Sequence, residues 1–105
     1  MFDDLKNKTV VVTGGVTGIG GAASRAFAAA GAKVLAHYHA GGPELEVMRS
    51  QHIATTQLDL TAAGGPLRLM QEARERFGRV DVLVNNAGSL VKRVPLAELD
   101  DDFID

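Results

Sequence analysis

The 105-residue sequence predicts an α/β fold, a doubly wound parallel sheet with helices on both faces. Three observations predict it. Short apolar or β-branched runs alternate with segments of helical periodicity. The connections between them are short and carry Gly and Pro. The first run, Thr9-Val10-Val11-Val12-Thr13, is continuously apolar at its centre rather than alternating, as in a strand buried on both faces.

The elements follow in order. Thr9–Thr13 reads as a strand closed by Gly14-Gly15. The helix formers from Ala22 to Ala30 make a first helix, ended by Gly31. Lys33–Tyr38 is a second strand, and Pro43 sits where a helix over Glu44–Gln51 can start, with Leu45 and Met48 on one face. Ile53–Leu58 suits a third strand. Thr61 or the Gly64-Gly65-Pro66 turn opens a third helix through Leu67, Met70, Arg74 and Phe77, stopped by Gly78. Val80–Val84 is a fourth strand, and Leu96–Asp105 begins a further helix with acidic residues in its early turns. The result is βαβαβαβ plus the start of a helix, with expected strand order 3-2-1-4. That pattern is the N-terminal portion only of a doubly wound sheet, and it predicts an uncovered outer edge on the fourth strand.

Composition narrows the function classes. Eleven basic residues against 13 acidic ones give a formal net charge of −2, which offers no electrostatic case for nucleic acid. The absence of Cys excludes a disulfide scaffold and a thiolate zinc site and fits a reducing compartment. The longest run without a polar side chain is Ala26 to Ala32, far short of a membrane span. Met1-Phe2-Asp3-Asp4 lacks the basic and apolar regions of a secretory signal. The expectation is a cytoplasmic protein without a membrane or nucleic-acid partner.

Between the first strand and the first helix lies Thr13-Gly14-Gly15-Val16-Thr17-Gly18-Ile19-Gly20. A phosphate approaching a helix N-terminus needs exposed backbone N–H groups with no Cβ in the way. Gly14 permits the tight turn, Gly18 lets the backbone approach a pyrophosphate, and Gly20 allows close packing of helix on strand. A glycine-rich turn that merely connects strand to helix is the plainer reading, and the βαβ context favours the binding one. The spacing is G-x-x-x-G-x-G, and no Gly-Lys-Ser/Thr follows, so it is not a Walker loop.

Together with Asp59-Leu60, Phe77-Gly78-Arg79-Val80-Asp81-Val82-Leu83-Val84 and Asn85-Asn86-Ala87-Gly88, this loop makes the chain resemble the short-chain dehydrogenase/reductase family. The resemblance covers the whole chain and implies a Rossmann-like, NAD(P)-dependent oxidoreductase that moves a hydride between nicotinamide and a carbonyl or alcohol carbon. It implies that the loop residues Gly14, Thr17, Gly18, Ile19 and Gly20 hold the cofactor. It further implies that Asp59 and Leu60 meet the adenine, that Asn86 steadies the sheet, and that the Ala87-Gly88 backbone lines the ribose. Local chemistry offers alternatives: Asp59 could help start the next helix, and Asn-Asn-Ala-Gly could be a turn. The resemblance also implies a homo-oligomer, a dimer or tetramer, for a full-length form, since full-length relatives are usually of that kind.

Nucleotide choice is read about 20 residues beyond the glycine loop, where an acid would bind the ribose 2′-hydroxyl. Tyr38 stands there, and the nearest acids are Glu44 and Glu46. The missing carboxylate leans towards NADP over NAD. The basic residue that many NADP-using relatives carry inside the loop is replaced by Thr17, and His39 or Arg25 could help instead. His37 and His39 share a strand face at i and i+2, but no third ligand is placed by any motif, so no metal site is assigned.

The catalytic Ser, Tyr and Lys that the resemblance implies have no counterparts. The single Tyr, Tyr38, is followed four residues later by Gly42 instead of Lys, and Ser24, Ser50 and Ser89 all precede the expected position. Residues 1–105 are therefore expected to be an NAD(P)-binding Rossmann segment, incomplete at its C-terminus and inactive alone. The alternatives are a non-catalytic dinucleotide-binding module, or an inactive remnant or interaction fragment that pairs through its unfinished sheet edge.

Overall fold

A computed structural model describes residues 5–86 and 93–95. The elements are β1 (Thr9–Thr13), α1 (Gly18–Ala29), β2 (Lys33–Tyr38), α2 (Glu44–Ser50), β3 (Ala54–Gln57), α3 (Gly65–Phe77), β4 (Val82–Asn85) and β5 (Arg93–Pro95). They form one sheet of order β3-β2-β1-β4-β5, in which the first four are parallel and β5 runs antiparallel to β4.

The sheet is built around β1, whose five residues are all buried. Alternation along the strands sends side chains to two separate cores. Val10, Val12, Val34, Ala36 and Val84 pack with Met48 and Ile53 on one side, joined by Phe27 and Ala28 of α1 and Leu45 of α2. Val11, Leu35 and Leu83 pack with Leu69, Met70 and Ala73 of α3 on the other. This is the doubly wound arrangement that the β-α alternation predicts. Burying side chains such as Leu35 and Leu69 contributes about 1.5–3 kcal/mol each.

Several boundaries differ from the sequence reading. Helix α1 begins at Gly18, not at Ala22, because the last glycines of the loop form its first turn; Thr17, in extended conformation, precedes it without a side-chain cap. Of the two starts expected for α3, the glycine turn is used: Gly64 takes a left-handed φ of 77° and Pro66 occupies the first turn. Strand β4 starts two residues late. Val80 is buried ahead of it, and Asp81 closes the end of the ladder by exchanging hydrogen bonds with Thr9.

The uncovered edge expected on the fourth strand is corrected. Arg93–Pro95 pairs with β4 in the register Val82↔Pro95, Leu83↔Val94 and Val84↔Arg93. An edge strand satisfies the outward backbone groups of its neighbour and tolerates Pro, which a central strand does not. The helix expected over residues 96–105 lies outside the described residues, as do Ala87 and Gly88.

Candidate functional site

Parallel order places the carboxyl ends of β1 to β4 along one edge, where the connections to the helices converge. At β1 the chain leaves through Gly14, with φ 58°, and enters α1 at Gly18, also with φ 58°. Gly15, Val16, Gly20 and Gly21 are buried, whereas Thr17, Gly18 and Ile19 are exposed. Ile19 is 73% exposed, more than the other exposed large apolar side chains among the described residues, Val47 and Leu67. The loop therefore presents a three-residue rim at the start of α1. Thr17 makes no side-chain hydrogen bond to the helix, and no acidic residue occupies its first turn. Amides at a helix start have no intrahelical acceptors, and the dipole there favours an anion.

Two glycines set the shape of that rim. A Cβ on Gly18 would meet no atom within 4 Å, so its surroundings are open. A Cβ on Gly20 would overlap the Gly14 carbonyl oxygen and come within 2.6 Å of the Asn86 carboxamide nitrogen. The helix start thus lies directly against the loop. Behind it, the buried Ser24 hydroxyl donates to the Gly15 carbonyl at 2.7 Å and fastens α1 to the turn.

Side-chain hydrogen bonds tie the four strand ends together. The Asn86 N–H donates to Thr13 Oγ1 at 2.9 Å, and the Thr13 hydroxyl donates to Asn85 Oδ1 at 3.1 Å. Asn86 Nδ2 donates to the Gly14 carbonyl at 3.2 Å. On the other side, the Gly14 N–H donates to His37 Nδ1 at 3.0 Å, and His37 Nε2 donates to the Leu58 carbonyl at 2.8 Å. The chain of contacts runs from β4 through β1 and β2 to the end of β3. His37 is 3% exposed, and burial is the first cause that pushes its pKa down. The Leu58 bond raises it and nearby His39 lowers it further.

Beyond β3, an open polar cleft of about 480 Å³ is lined by His39, Gln57, Leu58, Asp59, Ala62, Ala63, Gly65 and Arg68. Asp59 Oδ1 accepts from the Thr61 N–H at 2.9 Å and the Thr61 hydroxyl at 2.6 Å, and these bonds hold its carboxyl below the usual range. The turn they make does not start a helix, since α3 begins at Gly65. Leu60 packs partly into the α3-side core. Tyr38, at the end of β2, packs partly into the opposite core, and its carbonyl accepts from the Leu58 N–H at 3.1 Å.

Gly14, Thr17, Gly18, Ile19, Gly20 and Asn86 thus gather at the loop, Asp59 lines the cleft after β3, and Tyr38 and Leu60, at the same carboxyl edge, pack partly into the two cores and do not line that cleft. Sequence alone gives His37, Thr13 and Ser24 no part in holding the loop. Their signal was weak because a His or Thr ending a strand and a Ser inside a helix carry no local mark of a distant partner. The two histidines do not pair: both ring nitrogens of His37 are engaged by the protein, and His39 is exposed.

Residues 8–105 match the family described as short chain dehydrogenase. The chain belongs to the short-chain dehydrogenase family. It is 41% identical over 91 residues to an uncharacterized oxidoreductase, YgcW, of Escherichia coli K12, a match covering 83% of this chain and 35% of that protein. Among solved structures, an NADH-dependent reductase, A1-R′, complexed with NAD shares 37% identity at a TM-score of 0.74, covering 98% of this chain and 45% of the other. A dehydrogenase from Burkholderia cenocepacia with bound NADP shares 32% identity at a TM-score of 0.66, covering 77% and 34%. The chain spans about a third of the length of the curated relative that it matches. What this short-chain dehydrogenase chain contributes is the βαβ sheet edge with its glycine loop. Among its described residues no helix is long and apolar enough to cross a membrane.

Proposed function

We propose that residues 1–105 form the NAD(P)-binding portion of a short-chain oxidoreductase acting on a carbonyl or alcohol. The observation that carries this is the rim of Thr17, Gly18 and Ile19 at an uncapped helix start, pressed against Gly14 through Gly20. The residues fit a dinucleotide. The exposed amides would take the pyrophosphate, the Ile19 side chain supplies apolar contact, and the cleft around Asp59 suits a flat heterocycle with a donor and an acceptor. Ala87 and Gly88 would line the ribose on the same reading. When bound, the nicotinamide supplies the hydride chemistry. The chain's own residues bind and orient it: Asn86 and His37 hold Gly14 in place, and Ser24 fixes Gly15 against α1.

NADP is the preferred cofactor over NAD in this reading. Tyr38 puts no carboxylate where a 2′-phosphate would sit, and the Arg68 guanidinium and the imidazole of His39 border the adjoining cleft. The reading includes a cytoplasmic setting and a homo-oligomeric full-length form.

Titrating the purified chain with NADPH and NADH by fluorescence tests the proposal. Saturable binding, tighter for NADPH, is expected. A folded chain that binds neither nucleotide overturns it.

A further inference from the structure

The imidazole of His37 sits between the two halves of the candidate site. Gly14 N–H can only donate, so Nδ1 must be unprotonated to accept it. The Leu58 carbonyl can only accept, so Nε2 must carry the proton. The two contacts therefore admit one state of the ring, the neutral Nε2–H tautomer. The backbone joins in: the Gly15 N–H donates to the His37 carbonyl at 2.8 Å. Gly14 opens the loop, and Leu58 immediately precedes Asp59. One buried side chain thus spaces the loop from the cleft.

We propose that His37 is a positioning residue for dinucleotide binding, whose neutral ring holds the Gly14 amide and whose protonation at Nδ1 releases the loop and weakens binding in acid. The proposal rests on the dinucleotide reading above and adds to it a residue and a pH dependence. A second proton on the ring turns Nδ1 into a donor facing the Gly14 N–H, and that contact becomes repulsive.

The groups around the ring set where this happens. Just past β2 is His39, whose proximity disfavours a second proton on His37. β1 contributes uncharged Thr13 and Gly14. Past β3 lies the Asp59 carboxylate, exposed and engaged by Thr61. On the α3 side, Thr56, the register partner of His37, donates to Glu72, which is also paired with Arg76, and Arg68 borders the cleft. Burial dominates these and holds the ring neutral to lower pH than a free histidine.

The test uses NAD⁺ as probe, because the 2′-phosphate of NADP itself titrates near pH 6. Calorimetry follows NAD⁺ affinity between pH 8 and 5, and NMR follows the His37 ring nitrogens and the Gly14 amide. Affinity is expected to be flat near pH 8 and to fall about tenfold per pH unit below the His37 midpoint, as the binding-competent fraction falls. The Gly14 amide is expected to shift with the same midpoint. His37→Asn keeps an acceptor for Gly14 but cannot take up a proton, so its affinity is expected to stay flat in acid, whereas His37→Phe is expected to be weaker at every pH. If folded wild type binds neither NAD⁺ nor NADP⁺ at pH 8, the dinucleotide reading falls and this proposal with it; if it binds NADP⁺ alone, the ring and Gly14 amide midpoints decide, coincidence supporting the proposal and separation overturning it. If it binds NAD⁺ and His37→Asn retains the acid loss, only the His37 proposal falls. Should His37→Asn not fold, the wild-type midpoints decide: coincidence of ring, amide and affinity supports the proposal, and their separation overturns it.

Discussion

Asn86 donates its carboxamide N–H to the carbonyl of Gly14 at 3.2 Å, across 72 positions of sequence. This contact joins the end of β4 to the loop after β1, and Gly20 leaves it room. Asn86→Ala removes the donor while the backbone N–H to Thr13 stays. A stability loss of about 1 kcal/mol is expected, within the usual worth of one hydrogen bond. Asn86→Asp is expected to be worse, because a carboxylate would face the Gly14 carbonyl with no proton to give. Urea unfolding of the two variants measures the order, and Ala falling below Asp would contradict the role.

Gly18 and Gly20 separate shape from conformation. Gly18→Ala meets no neighbour, but its φ of 58° costs a Cβ-bearing residue roughly 1–2 kcal/mol. Gly20→Ala forces a Cβ into the Gly14 carbonyl, so the loop itself must move, with an overpacking cost of about 1–3 kcal/mol or more. Nucleotide affinity is expected to drop at least tenfold in Gly20→Ala. An unchanged dissociation constant in a folded variant would remove the loop from the binding site.

Tyr38 tests the nucleotide preference. Tyr38→Asp places a carboxylate at the end of β2, where it repels a 2′-phosphate and accepts from a 2′-hydroxyl. The ratio of NADPH to NADH affinity is expected to fall by at least tenfold. If parallel titrations return the wild-type ratio, the end of β2 does not read the ribose.

Acid should destabilise the chain in two stages. Burial lowers the folded-state pKa of His37, so the unfolded chain binds the proton first. Its contribution is complete above about pH 6.5 and is lost as pH falls through the lower folded value. Desolvation pushes Asp81 up, but the Thr9 N–H, Arg79 and Lys8 outweigh it and leave the carboxyl below its ordinary value. Its contribution is complete above about pH 4 and is lost on further acidification. Asp81→Ala also orphans the Thr9 N–H at a residue with no exposure, at a cost of about 1–3 kcal/mol. Thermal melts from pH 8 to 3 are expected to show the upper stage vanish in His37→Asn and the lower one in Asp81→Ala.

Much of this protein was legible in one dimension. The strand of valines, the glycines after it and the Gly stops at Gly31 and Gly78 act through neighbours a few residues away, so element order and the parallel sheet follow from local chemistry. The glycine loop was readable for the same reason, since its demand for room and positive φ falls on single residues. Asp59 and Tyr38 could be placed because a strand end locates them without any knowledge of contacts.

The tertiary structure alone decided what holds Gly14. Its partners come from 23 and 72 residues away, and they meet only because parallel register sets Val12 beside Ala36 and Thr13 beside Asn85. The identity of His37 says nothing of which acceptor and donor its ring will find, and therefore nothing of its protonation state. β5 is similar: three residues ending in Pro have no period of their own and become a strand only against the open edge of β4. Patterns within one segment report its conformation, whereas hydrogen bonds between segments depend on register, which exists only once the strands are side by side.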